Sequence, residues 1–243
     1  THNSGFVKAL GYFWNSWASL YENVVFIICG SATSWMISNV IDSKGGLHDR
    51  ITIEMPIRPF TLKETESYLE SRLFVWNRQM ILQAYMIFGG IPYYLSILDR
   101  EESLVQNVDR LFFSMDTQMR REFRRLFNTL YKKPDKYIDI VKTLSRSRSG
   151  MTREEMAEKL KCANNGHLGK LLDDLVYCDL VRKNIVREKV IKQKDAIYQV
   201  CDFFSLFYLT FIDRADVEQQ YWAHHINTPE VNSWMGLAYE RIC

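Results

Sequence analysis

The chain has 243 residues, 47% hydrophobic and 25% charged, with a net charge of +2. That length and apolar content support a packed core with room for more than one domain. The near-balance of charge excludes a general polycation, so any nucleic-acid contact must come from a local patch. Five scattered cysteines without a CxxC pair argue against a structural zinc site and against a secreted disulfide framework.

The longest apolar run, Phe203 to Ile212, is too short to cross a bilayer. No charged-then-apolar leader opens the chain. The expected setting is the cytoplasm, with no membrane partner. The chain starts at Thr1 without a methionine and stops in an apolar stretch, so the expectation is a piece of something longer.

In chain order, residues 5–20 place Phe6, Leu10, Phe13, Trp14 and Trp17 at helical spacing, predicting a helix packed on a sheet. "VVFIIC" (24–29) reads as a strand buried on both faces, followed by the polar turn Gly30-Ser31. A helix is expected over 33–42 and a second short strand over 51–55 (ITIEM). Thr61 with Glu64 three residues later is a capping box, with Phe60 placed as a staple. Residues 78–131 read as helical, punctuated by Gly89-Gly90 and Pro92. Residues 136–200 change rhythm: a helix over 137–144, a helix capped by Thr152 and Glu155, a third over 164–180, then an alternating hairpin pattern. That is the winged helix-turn-helix order. A last helical segment runs from Phe203 to Tyr239. The fold class expected is mixed, mostly α with a partial α/β core.

Taken together, "GFVKALGYFWNSWAS", "FIICGSATSWM", "LHDRITIEMPIRPFTLKETESYL", "FGGIPYYLSIL", "FFSLFYLTFI" and "GLAYERIC" resemble the second half of the prokaryotic AAA+-type ATPases of the archaeal-ATPase group, related to the STAND class of P-loop NTPases. The resemblance implies four parts. Residues 1–60 would be the C-terminal part of the α/β ATPase core, 61–133 a helical lid, and 134–201 the winged helix. Residues 202–243 would open a C-terminal domain that looks nuclease-like in many members. The family's GxxxxGK[ST] loop and Walker B carboxylate are not in this chain. The resemblance therefore implies ATP and Mg²⁺ for the full-length protein, neither of them held by this stretch alone, and self-association through the ATPase domain.

Site residues follow residue by residue. Ser31 matches the sensor-1 position; alternatively Ser31 and Thr33 cap the helix that follows. Arg50 matches an arginine finger, a role suited to a permanently charged, bidentate guanidinium; alternatively it pairs with Asp49 or Glu54. Gly90 and Pro92 match the lid element near the adenine; alternatively they only break a helix. Glu240 matches an early glutamate of the C-terminal domain. No metal site is expected, and His224-His225, being consecutive, diverge on a helix.

The residues themselves suggest a nucleic-acid surface. Between Gln118 and Arg148 ten Lys/Arg face three Asp/Glu. Arg120, Arg121, Arg124 and Arg125 share one helical side. Asn164, Asn165, His167 and Lys170 stand near the start of the third helix, the expected recognition helix, with Arg182 and Lys183 on the wing. Asp173, Asp174 and Asp179 count against a duplex there. Two functions are carried forward. One is an ATP-binding AAA+-type ATPase or nucleotide-dependent switch with double-stranded DNA as a partner. The other is a DNA-binding regulator or protein-interaction module without nucleotide chemistry.

Overall fold

A computed structural model of the chain describes residues 5–30, 36, 40–41, 47, 50–115, 117–185, 196–213 and 218–243. The elements begin with α1 (Phe6–Ser16) and a 3₁₀ turn at Ala18–Leu20. They continue through α2 (Leu62–Ser71), α3 (Arg78–Phe88), α4 (Pro92–Ser96) and α5 (Leu104–Val108), which runs on as a π turn at Asp109–Phe113. Then come α6 (Gln118–Leu130), α7 (Pro134–Ser145), β1 (Met151–Thr152), α8 (Arg153–Lys159), α9 (Gly166–Tyr177), β2 (Val181–Asn184) and β3 (Ile197–Val200). The chain closes with α10 (Phe203–Phe207), continued by a π turn at Tyr208–Ile212, α11 (Tyr221–His225) and α12 (Pro229–Ile242).

Local chemistry starts these helices. The Thr61 hydroxyl accepts from the Glu64 amide at 3.3 Å, and the Glu64 carboxylate accepts from the Thr61 amide at 2.8 Å. The same reciprocal box opens α5 (Ser103, Gln106) and α8 (Thr152, Glu155). Phe60 meets Tyr68 (ring centroids 5.6 Å), one turn beyond the usual staple position. Three helices stop on residues with positive φ: Leu73 (64°), Lys161 (51°) and Asp179 (54°). In each case the next amide reaches back to the last turn, as from Phe74 to the Leu69 carbonyl at 3.1 Å.

The core is one apolar cluster from Leu69 to Ala238. Its centre is aromatic: Phe207 meets Phe112 at 4.9 Å, Trp222 at 5.1 Å and Trp234 at 5.4 Å. Helix α10 packs on α3, so the C-terminal segment rests on the helices that precede the sheet. The sheet is antiparallel, of order β1-β3-β2, with Met151 opposite Tyr198 and Val181 opposite Val200. Helices α7, α8 and α9 pack on one another beside it.

The N-terminal expectations need correction. Neither 24–29 nor 51–55 forms a strand, because no described backbone pairs with them. Val25 (85%), Ile27 (81%), Ile53 (75%) and Ile57 (85%) face outward instead of being buried. Helix α1 is not packed on a sheet among the described residues. Phe13 and Trp14 meet Phe26, while Tyr12 and Trp17 stay exposed. The helix expected over 33–42 lies almost wholly outside the described residues, as does the middle of the hairpin. No described helix is long and apolar enough to cross a membrane.

Candidate functional site

The Gly89-Gly90-Ile91-Pro92 corner joins α3 to α4. Gly89 has φ 65° and ψ −164°, a region that only glycine visits freely. The Phe60 amide donates to the Gly90 carbonyl at 2.7 Å, and the Tyr85 hydroxyl donates to the Phe60 carbonyl at 3.1 Å. A Cβ on Gly90 would run into the Phe60 main chain. The close approach for which the sequence needs glycine is therefore made, on this side, by the chain itself. Pro92 is exposed and takes the first position of α4, where its missing N–H costs nothing.

Arg50 is exposed, and its amide donates to the Leu47 carbonyl at 3.1 Å. Ser31 lies outside the described residues. Arg58 pairs with Asp179 at 2.8 Å, tying the segment that leads into α2 to the turn after α9.

The arginines of α6 divide. Arg120 is half-buried; Arg121, Arg124 and Arg125 are exposed. Arg124 pairs with Asp135 at 3.0 Å, and Arg125 lies 3.9 Å from Glu122. The exposed Arg124–Asp135 pair neutralises charge locally but holds weakly, while the Glu122 beside Arg125 is largely buried. Lys136, at the start of α7, reaches His167 of α9 (Nζ to Nε2 3.4 Å), so the basic stretch and the start of α9 form one neighbourhood.

On α9, Asn164, Asn165, His167 and Lys170 are all exposed. Asn165 is occupied as the cap: its side-chain oxygen accepts from the amides of His167 (3.0 Å) and Leu168 (3.3 Å). Of the three acids expected to oppose a duplex, Asp174 points inward. It accepts from the Tyr137 hydroxyl at 2.8 Å, and its carbonyl accepts from Tyr131 at 3.3 Å. Burial and the Asp174 bond hold the Tyr137 phenol above its ordinary range. Asp179 is engaged by Arg58, which leaves Asp173 exposed beside Lys183 at 3.9 Å.

The wing residues are less free than their charges suggest. Arg182 donates to the Gln199 side chain at 2.9 and 2.6 Å and to the Arg241 carbonyl at 3.2 Å. Lys183 sits over the Tyr198 ring at 5.6 Å. Arg241 donates to the Val200 carbonyl at 2.8 Å; burial, with Arg182 nearby, lowers its pKa. Glu240 pairs with Arg148 at 2.7 Å. Burial pushes the Cys201 thiol up to about 12, and its Sγ donates to the Asp179 carbonyl at 3.2 Å. No group of three metal-binding side chains occurs among the described residues. Sequence reasoning passed over Tyr85 and Arg58, and it gave Phe60 only a staple's place; their partners Phe60, Asp179 and Gly90 are remote in the chain and leave no local signal.

No family model matches the chain, and no curated protein matches it. Among solved structures it is similar to a Walker-type ATPase of Pyrococcus abyssi, with a TM-score of 0.56 and 17% identity over 85% of this chain. The match spans 58% of that ATPase. At that identity the likeness is one of fold: this mostly helical chain with its small antiparallel sheet has the fold of part of a Walker-type ATPase.

Proposed function

We propose that the chain supplies the lid and effector half of an AAA+-type P-loop ATPase, a nucleotide-dependent switch. The fold shared with a Walker-type ATPase over 85% of the chain carries this reading. In it, 61–133 is the lid, and 134–201 is a winged helix, supported by the succession α7-β1-α8-α9-β2-β3 and the sheet order β1-β3-β2. The outward-facing Val25, Ile27, Ile53 and Ile57 are covered by other parts of the full-length ATPase core. Ser31 acts as sensor and exposed Arg50 as a finger on a neighbouring subunit's nucleotide. Gly90 and Pro92 set the angle of the lid. ATP and Mg²⁺ are held by phosphate-loop and acidic residues of the full-length protein, working in the cytoplasm.

A second reading concerns nucleic acid. The Lys136–His167 contact, which joins the basic stretch to the start of α9, favours double-stranded DNA as the winged helix's partner. Residues 202–243 pack into the same core as the lid helices, with Glu240 held by Arg148 at the surface.

The test is Mg²⁺-dependent ATP hydrolysis by the full-length protein beside residues 1–243. Turnover by the first and none by the second is expected. Absence of nucleotide binding by the full-length protein would leave a DNA-binding regulator or interaction module.

A further inference from the structure

We infer a separate binding site for a small phosphate ester bearing hydroxyls, such as a sugar phosphate, at the C-terminal ends of α2 and α4. An open pocket of about 600 Å³ lies there, lined by Arg72, Arg100, Arg110 and Asp99 with the apolar Leu73 and Ile97. It sits at the opposite end of α4 from Gly90 and Pro92, and the inference does not depend on the ATPase reading.

Arg72 is the anchor. Its Nη1 donates to the Leu95 carbonyl at 3.0 Å and the Ser96 carbonyl at 2.8 Å. Its guanidinium lies 5.9 Å from the Tyr68 ring centroid and 5.8 Å from that of Phe74. The head is thus fixed by carbonyls and aromatic rings, and no described carboxylate forms an ion pair with it. A planar, preorganised cation of this kind suits an oxyanion. Arg100 and Arg110 pair with Glu101 (3.0 Å) and Glu102 (2.7 Å), carboxylates that do not line the pocket. The exposed Arg100 pair exchanges readily for a more highly charged oxyanion, while Arg110, which also donates to the buried Asn107 side chain at 2.7 Å, is held in place at the pocket wall. Asp99 accepts the Glu101 amide on Oδ1 at 2.9 Å, which leaves Oδ2 for a ligand hydroxyl. Leu73, 68% exposed and with φ 64°, stands at the mouth as an apolar flank. The volume suits a sugar phosphate or a mononucleotide.

The test is calorimetric titration of the chain at low and physiological salt with ribose 5-phosphate, inorganic phosphate and ribose. Ribose 5-phosphate should bind at least tenfold tighter than either of the others. Arg100→Gln, on an exposed side chain that the fold does not need, should weaken it several-fold. Arg72→Lys, which keeps the charge but loses the fork, should weaken it tenfold or more. Asp99→Asn should cut the preference over inorganic phosphate. Should Arg72→Lys fail to fold, Arg100→Gln carries the test. Equal affinity for ribose and its phosphate, equal affinity for inorganic phosphate and the ester, or wild-type binding by Arg100→Gln would each overturn the inference.

Discussion

The Phe60 amide donates to the Gly90 carbonyl at 2.7 Å, and Gly90 packs so closely on the Phe60 main chain that no Cβ fits between them. The entry to α2 and the α3–α4 corner are therefore one joint. Gly90→Ala should destabilise by about 1–3 kcal/mol, the usual penalty for forcing a methyl into a packed site. Tyr85→Phe, which removes the hydroxyl bonded to the Phe60 carbonyl, should cost about 1 kcal/mol. Pro92→Ala at its exposed site should cost less than either. Urea denaturation of the three variants measures this, and a Gly90→Ala variant as stable as wild type would remove the joint.

Asp109 tests the buried electrostatics. Its carboxylate accepts the amides of Trp222 (2.8 Å) and Ala223 (3.0 Å), starting α11 from a remote turn. Burial raises its pKa above the ordinary 3.8, opposed by those two amides and by His224. For a carboxyl raised in the folded state, the native form holds more protons within the shifted window. Its contribution to stability is thus largest below that window and falls as pH rises through it. Asp109→Asn keeps an acceptor without the charge, so its stability relative to wild type should improve as pH rises above the ordinary carboxylate value of 3.8. Glu64 has the opposite sign. Bonds from the Thr61 amide and hydroxyl hold its carboxyl below its ordinary value. The contribution of the α2 box is present above the unfolded pKa and lost as pH falls through the folded one. Urea midpoints relative to wild type should rise for Asp109→Asn as pH climbs above the ordinary carboxylate value, whereas the deficit of Glu64→Gln should be constant above the unfolded value of 4.5 and shrink only as pH falls below it.

Arg241 and Arg148 separate half-buried from exposed charge in the same region. Arg241 bonds the Val200 carbonyl and is itself bonded, through its own carbonyl, by Arg182. Arg241→Ala leaves acceptors unpaired and should cost about 2–3 kcal/mol. Arg148→Ala loses only an exposed pair with Glu240, and less than about 1 kcal/mol. Thermal melting of both variants checks the order.

What the sequence made legible is what short-range chemistry decides. Thr61 with Glu64 and Thr152 with Glu155 announce their helices because both partners lie within one turn. The ends of α2, α8 and α9 were not readable, because Leu73, Lys161 and Asp179 take the left-handed position that usually signals glycine. Strand β1 is two residues long and exists only through its pairing with Tyr198 and Ile197. The apolar runs at 24–29 and 51–55 read as strands from composition, but a strand needs a ladder, and no described segment supplies one. At the candidate nucleic-acid surface, the exposure of Asn164, His167 and Lys170 could be anticipated from helical period. The inward turn of Arg182 could not, since its partners Gln199 and Arg241 are 17 and 59 residues away.

The ATPase reading predicts that Arg50→Ala in the full-length protein lowers ATP turnover on the order of 10³-fold with little change in nucleotide affinity. A finger acts on charge that develops in the transition state. Arg50 is exposed, which that reading requires of it. Steady-state rates beside equilibrium nucleotide titration provide the measurement. Equal losses in binding and turnover would assign Arg50 to a surface ion pair.

The DNA reading predicts weak, largely sequence-independent and salt-sensitive binding. Six phosphate contacts give a log–log salt slope of about −5. Reversing the charge of Arg120, Arg121, Arg124 and Arg125 should flatten that slope. The structure sharpens the choice of variants. Arg124 and Arg125 already face Asp135 and Glu122, so each should contribute less than a free cation. Asn165→Ala removes a helix cap and should cost about 1 kcal/mol of stability, which confounds any binding loss. Asn164 and Lys170, exposed near the start of the same helix, are the cleaner probes of sequence preference. Asp174 offers no repulsion because it is buried under Tyr137; Asp173 does, and Asp173→Asn should tighten binding. Anisotropy of a fluorescent duplex at low and physiological salt, with these variants alongside, decides it. Failure of the wild type to bind even at low salt would leave the α7–β3 unit as a protein-interaction module.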